Sequence, residues 1–223
     1  MSARRSNRRT TGSARRLPKA RLEAFSDGVF AIVITLLVLE LEVPPPSADI
    51  AHALAEDWPA YLGYLISFSF IGGAWIAHTN TTRFIRAVDA GWMRLNLLLL
   101  LFVSFLPFTT SLMATHLNET DARTVTVLFG TNLTLAALMV SVLMRYSANA
   151  GLPADDVAEA ELEEFAGERR VALVLQAAAT VLAIVLPVVS MLVFLAISLL
   201  LLLEPLVRMR GREVPVAPAD GGL

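Results

Sequence analysis

The stretch that decides the fold is RLEAFSDGVFAIVITLLVLELEV, which occupies residues 21–43. From Ala24 to Leu39 it is apolar apart from the three polar residues Ser26, Asp27 and Thr35, and acidic residues close its far end. A helix needs about 20 predominantly apolar residues to cross the roughly 30 Å hydrocarbon core of a bilayer. The stretch is therefore predicted to form a membrane-spanning helix over about residues 24–43.

Two sides of this predicted helix carry different residues. Ile32, Thr35, Leu36 and Leu39 follow the i, i+3, i+4, i+7 spacing of a single helical face. Asp27 falls roughly 140° away from Ile32 on the same helical wheel. A carboxylate inside a membrane span costs about 3 kcal/mol, so it needs a partner within the protein. The pattern predicts a helix in which one face lines a feature and another holds a buried ion.

The composition places the chain among polytopic membrane proteins. Its 223 residues are 56% hydrophobic and only 17% charged, against about 45–50% and 25% in ordinary soluble domains. A net charge of −2 gives no indication of a nucleic-acid partner, and no soluble substrate is indicated. The chain has no cysteine and its three histidines are scattered, so no cofactor or metal cluster is expected.

Apolar runs predict one all-α membrane domain with six spanning helices, covering about residues 21–207. The predicted spans are 24–43, 58–79, 95–115, 123–146, 171–186 and 188–206. Pro187 divides the last apolar block into two helices, because proline cannot continue a helix through its interior. Flanking segments are a basic, disordered tail over 1–20, an acidic segment over 147–170 with a short solvated helix, and a second tail over 208–223.

The distribution of basic residues predicts the orientation. Six spans place the N-terminus, the loop 79–94, the segment 147–170 and the C-terminus on one side of the membrane. These regions and their flanks hold every Lys and Arg except Arg123. Basic residues mark the cytoplasmic side, so both termini are predicted to be cytoplasmic.

Polar residues in the first three spans predict contacts between helices. Arg21 can extend to the lipid head groups, whereas the shorter Asp27 needs a donor from the protein. His78 and Asn96 lie at a similar predicted depth, so both are candidate donors to Asp27. Polar side chains in membrane helices usually bond across helices. A network of Ser26, Asp27, His78 and Asn96 is therefore predicted to lock the helices together, with direct ion or proton handling as the alternative.

These residues resemble the signature of a known family. Arg21, Phe25, Ser26 and Asp27 follow the pattern Arg-x-x-x-Phe-Ser-Asp, and Trp75, His78, Asn96 and SFLPFTT (104–110) follow in order. The set is similar to the bacterial branch of the lysosomal potassium channel family, the transmembrane protein 175 family. The resemblance covers spans one to three, and spans four to six carry no specific motif.

The resemblance implies a homotetramer of six-helix subunits in a bacterial cytoplasmic membrane, with K⁺ as the permeant ion. The first helix lines the pore, and there is no re-entrant filter loop. Ile32 would form the narrowest hydrophobic ring, Leu36 and Leu39 further apolar rings, and Thr35 a ring of hydroxyl groups. Arg21, Phe25, Ser26, Asp27, Trp75, His78 and Asn96 would form the supporting polar network.

The expected function is a passive, leak-like K⁺ channel with a hydrophobic gate, because a ring of isoleucines can close a pore by dewetting. Glu40 and Glu42 at the far end of the helix would form an acidic pore mouth that attracts cations. One alternative is a proton-coupled secondary transporter using Asp27 and His78, although no internal repeat supports it. Another is a membrane scaffold without transport. No nucleophile–base set or phosphate loop indicates an enzyme.

Overall fold

A computed structural model describes residues 19–150, 152 and 156–211. Within helix, the side chains of residues 156–165, 168 and 204–211 are not described. The predicted basic tail up to residue 18, and the C-terminal residues 212–223, lie outside the described residues.

The described chain folds as a bundle of α-helices. Its helices are α1 Ala20–Leu36, α2 Ile50–Glu56, α3 Trp58–Phe84, α4 Ala90–Ser104, α5 Leu106–His116, α6 Ala122–Asn149, α7 Asp156–Leu182 and α8 Pro187–Gly211. Among the described residues, four segments are long and apolar enough to cross a membrane, namely Ala20–Glu40, Trp58–Phe84, Ala90–His116 and Ala122–Asn149. These correspond to the first four predicted spans, and the chain is an all-α, multi-pass membrane protein.

The first helix begins earlier and ends earlier than predicted. α1 starts at Ala20 and gives way after Leu36 to a 3₁₀ turn over Leu37–Glu40. Lys19, predicted to belong to the disordered tail, instead donates hydrogen bonds from Nζ to the carbonyl oxygens of Thr82 (2.8 Å) and Ile85 (3.1 Å). The last carbonyls of a helix lack internal partners and attract a cation. Lys19 therefore fastens the start of α1 to the end of α3.

The third predicted span is interrupted. α4 ends at Ser104 and α5 begins at Leu106, with Pro107 in the first turn of the new helix. Proline has no N–H to donate to the preceding turn, which separates the apolar segment into two helices. The prediction had Pro107 inside one continuous helix over residues 95–115.

Two further helices differ from the predicted elements. The segment predicted as a short acidic helix followed by a span at 171–186 is one continuous helix, α7. The loop before α3 contains the short helix α2, capped by Asp49, whose carboxylate accepts from the backbone N–H of Ala51 at 3.1 Å. As predicted, Pro187 begins a new helix, α8, after a turn that follows α7.

Helix α3 is the centre of the bundle and packs against α1, α5, α6, α7 and α8. Gly72 and Gly73 allow α8 to come close, since a Cβ at Gly73 would lie 3.3 Å from Leu201. Small residues at membrane helix interfaces permit this close approach. α1 lies on α3 and α4, whereas α7 packs mainly on α6 and α8. The first helix and α7 thus pack mainly on different partners.

Candidate functional site

Helix α1 is buried along one narrow face only. Ser26, Phe30, Val33 and Leu37 are buried at the spacing of a single helical face. Of the most apolar window in this span, 22% is buried, against 44–61% in the other three spans. In the single chain, the first helix therefore leaves a larger share of its apolar surface exposed than the other three spans do.

The residues predicted to line a pore lie on this exposed side. Ile32 is 61% exposed, Leu36 43% and Leu39 74%, and Thr35 is also exposed. We call Ile32, Thr35, Leu36 and Leu39 the α1 stripe. The Thr35 hydroxyl donates its proton to the carbonyl oxygens of Ile32 (2.8 Å) and Ala31 (3.1 Å). Since a hydroxyl oxygen has two lone pairs, it remains an acceptor toward the exposed side.

A buried hydrogen-bond chain supports α1 from behind. The side-chain amide of Asn96 donates to Ser26 Oγ at 2.9 Å, and its Oδ1 lies 2.9 Å from His78 Nε2. Because Oδ1 is an acceptor, His78 carries its proton on Nε2 and donates here. All three side chains are buried. The chain joins α1, α3 and α4, and these three are the members of the expected four-residue network that the structure brings together.

Asp27 does not join this chain. Trp75 Nε1 donates to Asp27 Oδ1 at 2.9 Å, and the Asp27 side chain is exposed in the single chain. The expectations of a buried ion and of a bond from His78 or Asn96 are therefore wrong for the subunit. Neighbouring helix positions point about 100° apart, so Ser26 and Asp27 face different partners. Arg21 and Phe25 are exposed, and within the described residues neither joins the network.

Two aromatic residues that the sequence analysis missed enclose His78. The His78 ring lies 5.7 Å from the Phe30 ring and 5.8 Å from the Trp92 ring, measured between centroids. Trp92 Nε1 donates to Ser147 Oγ at 2.8 Å, which extends the hydrogen bonding to α6. A buried tryptophan N–H needs an acceptor, so a hydrogen bond from the Trp92 side chain could have been expected. The sequence does not indicate that its acceptor lies on α6.

Comparisons with known proteins give matches that include the first two predicted spans and most of the third. The family described as endosomal/lysosomal potassium channel TMEM175 matches residues 21–107, which include every residue of the signature up to Pro107. A potassium channel of Streptomyces collinus is 44% identical over 104 residues, covering 46% of this chain and 50% of that protein. A potassium channel of Chamaesiphon minutus is 37% identical over 134 residues, covering 58% and 66% respectively. The chain thus spans about half to two thirds of these curated relatives.

A solved structure extends the match to almost a whole subunit. The crystal structure of a lysosomal potassium-selective channel TMEM175 homolog from Chamaesiphon minutus superimposes with a TM-score of 0.75 at 30% identity. The match covers 83% of this chain and 97% of that chain. The chain belongs to the TMEM175 family. The resemblance inferred from the Arg-x-x-x-Phe-Ser-Asp pattern is confirmed, and the family is one of ion channels rather than enzymes.

In this TMEM175 member, the acidic residues that follow α1, Glu40 and Glu42, partly face their own chain. Glu42 lines a cleft of about 320 Å³ together with Glu56, Asp57 and Tyr61. Burial, and then the charge of Glu42, raise the pKa of Asp57 above its usual value. Glu40 lies half-buried on the 3₁₀ turn. Glu42 therefore adds to an acidic surface around the start of α3. The side chains that the structure describes form no group that could hold a metal ion.

A second cleft of about 320 Å³ opens between α1 and α3 of the TMEM175 subunit. Its lining is almost entirely apolar and consists of Asp27, Phe30, Ala31, Ile34, Gly72 and Trp75. We call this the α1–α3 cleft. It lies beside the Asp27–Trp75 hydrogen bond, on a side of α1 that adjoins the α1 stripe.

Proposed function

We propose that the chain is the subunit of a passive, potassium-selective cation channel in which α1 lines the pore. The observation that carries the proposal is the α1 stripe, where Ile32, Leu36 and Leu39 stay exposed while the opposite face packs on α3 and α4. The relatives from Streptomyces collinus and Chamaesiphon minutus are named potassium channels, which supports K⁺ as the permeant ion.

One α1 helix cannot enclose a pore, so the proposal requires several copies of the chain. We infer a homotetramer in which four stripes face a common axis. The α1–α3 cleft supports this arrangement, because it is an apolar surface adjoining the stripe and a neighbouring copy would bury it. Burial of such apolar surfaces between subunits stabilises an oligomer.

The stripe has the chemistry of a hydrophobic constriction. Four Ile32 side chains form the narrowest ring and exclude water when the pore is closed. Thr35 lies about one turn further along and offers hydroxyl oxygens that replace part of the hydration shell of K⁺. Leu36 and Leu39 continue the apolar lining toward Glu40 and Glu42, whose negative charges raise the local concentration of cations at the mouth.

The same proposal includes a membrane topology with six crossings. α7 and α8 supply the fifth and sixth crossings, with Pro187–Leu203 as the shorter apolar part of α8. The basic residues then collect on one side, which places both termini in the cytoplasm of a bacterial cell. Gating by a ligand is not part of the proposal.

A proton-coupled carrier built on Asp27 and His78 is less well supported. His78 donates into the buried chain through Asn96 to Ser26, whereas Asp27 accepts from Trp75 on the exposed side. The two titratable groups therefore belong to separate hydrogen-bonded sets. A single proton path through both would require rearranging the buried chain.

The reversal potential of the purified protein in liposomes tests the channel proposal. Under a K⁺/Na⁺ gradient we expect the wild-type potential near the K⁺ limit. Ile32→Asn should raise the conductance and move the potential toward zero, because a polar ring hydrates the constriction. Leu101→Asn is the matched control, since Leu101 is a similarly exposed apolar residue (57%) on α4.

Three outcomes would count against the proposal. Unchanged flux in Ile32→Asn would remove Ile32 from the constriction. An equal rise in Leu101→Asn would indicate a general leak caused by a polar residue in the membrane. The absence of current from every protein, with the helical fold intact, would favour a scaffold or a carrier.

A further inference from the structure

A further cleft with a distinct chemistry lies between α6 and α7. It has a volume of about 340 Å³ and is lined by Arg145, Ala148, Asn149, Ala166 and Arg170. We call it the α6–α7 cleft. Two arginines from different helices bring two positive charges to one recess. The two alanines add small apolar groups to a lining that is otherwise polar.

The cleft lies where α7 passes from a polar to an apolar sequence. The segment before Arg170 is rich in acids, whereas the residues from Val171 onward are almost all apolar. α6 ends at Asn149, on the opposite wall of the cleft. This boundary is where the head groups of a bilayer meet its hydrocarbon core. The two arginines are therefore placed at head-group depth.

Both guanidinium groups are available to a ligand. Arg145 and Arg170 are exposed, and neither forms a hydrogen bond or an ion pair with the residues that the structure describes. Asp89 contacts the neighbouring Tyr146, but its carboxylate already accepts from the Tyr146 hydroxyl and from the backbone N–H of Trp92, both at 2.8 Å.

Gly167 leaves room for the Arg170 side chain. A Cβ added at Gly167 would meet Arg170 Nη2 at 3.8 Å, so this guanidinium lies across the glycine. This position brings it toward the cleft that Ala166 lines, instead of extending away from α7.

An apolar surface continues from the cleft along α7. Val171 is 63% exposed, Val174 66% and Leu175 49%. A soluble phosphate has no apolar groups to bury against this surface, whereas the acyl chains of a lipid would cover it. The neighbouring charged and apolar surfaces together match an amphipathic anion.

We propose that the α6–α7 cleft binds the head group of an anionic phospholipid. The phosphate lies between Arg145 and Arg170, where each planar guanidinium can donate two parallel hydrogen bonds to its oxygens. The Asn149 amide donates a further hydrogen bond, and the acyl chains lie against Val171, Val174 and Leu175. Basic recesses between membrane helices on the cytoplasmic side recognise such head groups. The site is separate from the pore-lining helix and does not depend on the proposed channel function.

Native mass spectrometry of the full-length protein, purified in mild detergent and titrated with phosphatidylglycerol, tests the assignment. We expect specific retention of phosphatidylglycerol over phosphatidylcholine. The double variant Arg145→Gln/Arg170→Gln should bind it about 25-fold more weakly, because each arginine near the membrane surface contributes about fivefold. Arg83→Gln is the matched control, since Arg83 is an exposed arginine in the last turn of α3.

The conservative variant Arg145→Lys/Arg170→Lys separates the geometry of the site from its charge. Lysine keeps the positive charge and loses the planar fork, so binding should fall between wild type and the glutamine variant. This variant also gives a result if the glutamine variant is not recovered in folded form.

Three results would overturn the proposal. Wild-type retention of phosphatidylglycerol in the glutamine variant would exclude both arginines from the site. An equal loss in Arg83→Gln would attribute binding to overall positive charge. Full displacement of phosphatidylglycerol by equimolar inorganic phosphate would make this a site for free phosphate instead of a lipid.

Discussion

Two regions of the helical bundle differ in how their buried polar side chains are hydrogen-bonded. On α1, α3 and α4, Ser26, His78 and Asn96 are joined by two hydrogen bonds, with Asn96 in the middle. On α7, Gln176 is 1% exposed, yet neither of its amide atoms has a hydrogen-bond partner among the described residues. Ser198 on α8 is likewise buried with its hydroxyl unpaired among those residues. The region with this hydrogen-bond chain is also the region that the family model matches.

This difference indicates that the two regions are specified by different interactions. Removing one member of a buried hydrogen bond leaves its partners desolvated and unpaired, which costs about 1–3 kcal/mol for each group. Replacing a buried polar group that has no partner removes a cost instead. The same chemical change, polar to leucine, should therefore have opposite consequences in the two regions.

The largest effect is expected from Asn96→Leu. Leucine has a similar size, but it leaves Ser26 and His78 buried without their shared partner. We expect the melting temperature in detergent to fall by roughly 10 °C, from a loss of about 3 kcal/mol. Asn118→Leu, in the exposed turn after α5, is the control and should be neutral. A fall of less than about 2 °C in Asn96→Leu would mean that the chain does not hold these helices together.

An intermediate effect is expected from Asp27→Ala, and it should appear in assembly instead of folding. The substitution removes the acceptor for Trp75 Nε1 beside the α1–α3 cleft, where a neighbouring copy is proposed to pack. Because Asp27 is exposed in the single chain, the subunit itself should lose only about 1 kcal/mol. We expect a smaller tetramer fraction in mild detergent, measured by light scattering coupled to size exclusion.

Asp27→Asn is the matched control for this substitution, since its amide oxygen can still accept from Trp75. It should keep the oligomer that alanine loses. A stable oligomer with altered ion preference in Asp27→Ala would place Asp27 in the permeation path instead of the subunit contact.

Much of the first region was predictable from the sequence, because hydropathy and helical spacing depend on residue types alone. The first four spans follow from these two signals, and the spacing places Ile32 and Leu39 on one face; that this face is the exposed one was implied only by the family resemblance. The partner of Asp27 was not predictable. Trp75 and His78 lie three residues apart on α3, so the choice between them depends on how α3 is rotated against α1.

The extent of α7 was not predictable for a different reason. Hydropathy marks where a helix enters the membrane, but a helix can continue past that boundary when its residues favour helix. The segment before Val171 is rich in alanine and glutamate, which have high helix propensity. α7 therefore begins at Asp156, well before the apolar residues. The α6–α7 cleft exists because this helix passes the end of α6.

The smallest effect, and the sharpest test of the comparison, is expected from Gln176→Leu. Gln176 lines a cavity of about 20 Å³ between α3, α6, α7 and α8, together with Ser141 and Arg169. The Ser141 hydroxyl already donates to the Ala137 carbonyl oxygen at 3.0 Å, and Arg169 donates to the Gly73 carbonyl oxygen at 3.4 Å. Leucine fills a similar volume and removes a desolvated amide that has no hydrogen-bond partner among the described residues.

We therefore expect Gln176→Leu to leave the melting temperature unchanged or to raise it by up to about 4 °C. Gln176→Glu is the matched control: it keeps the shape of the side chain but places a carboxyl group in the cavity, and it should lower the melting temperature. A fall in Gln176→Leu comparable to that in Asn96→Leu would show that Gln176 is bonded within the folded protein. The second region would then be held by specific hydrogen bonds, as the first region is.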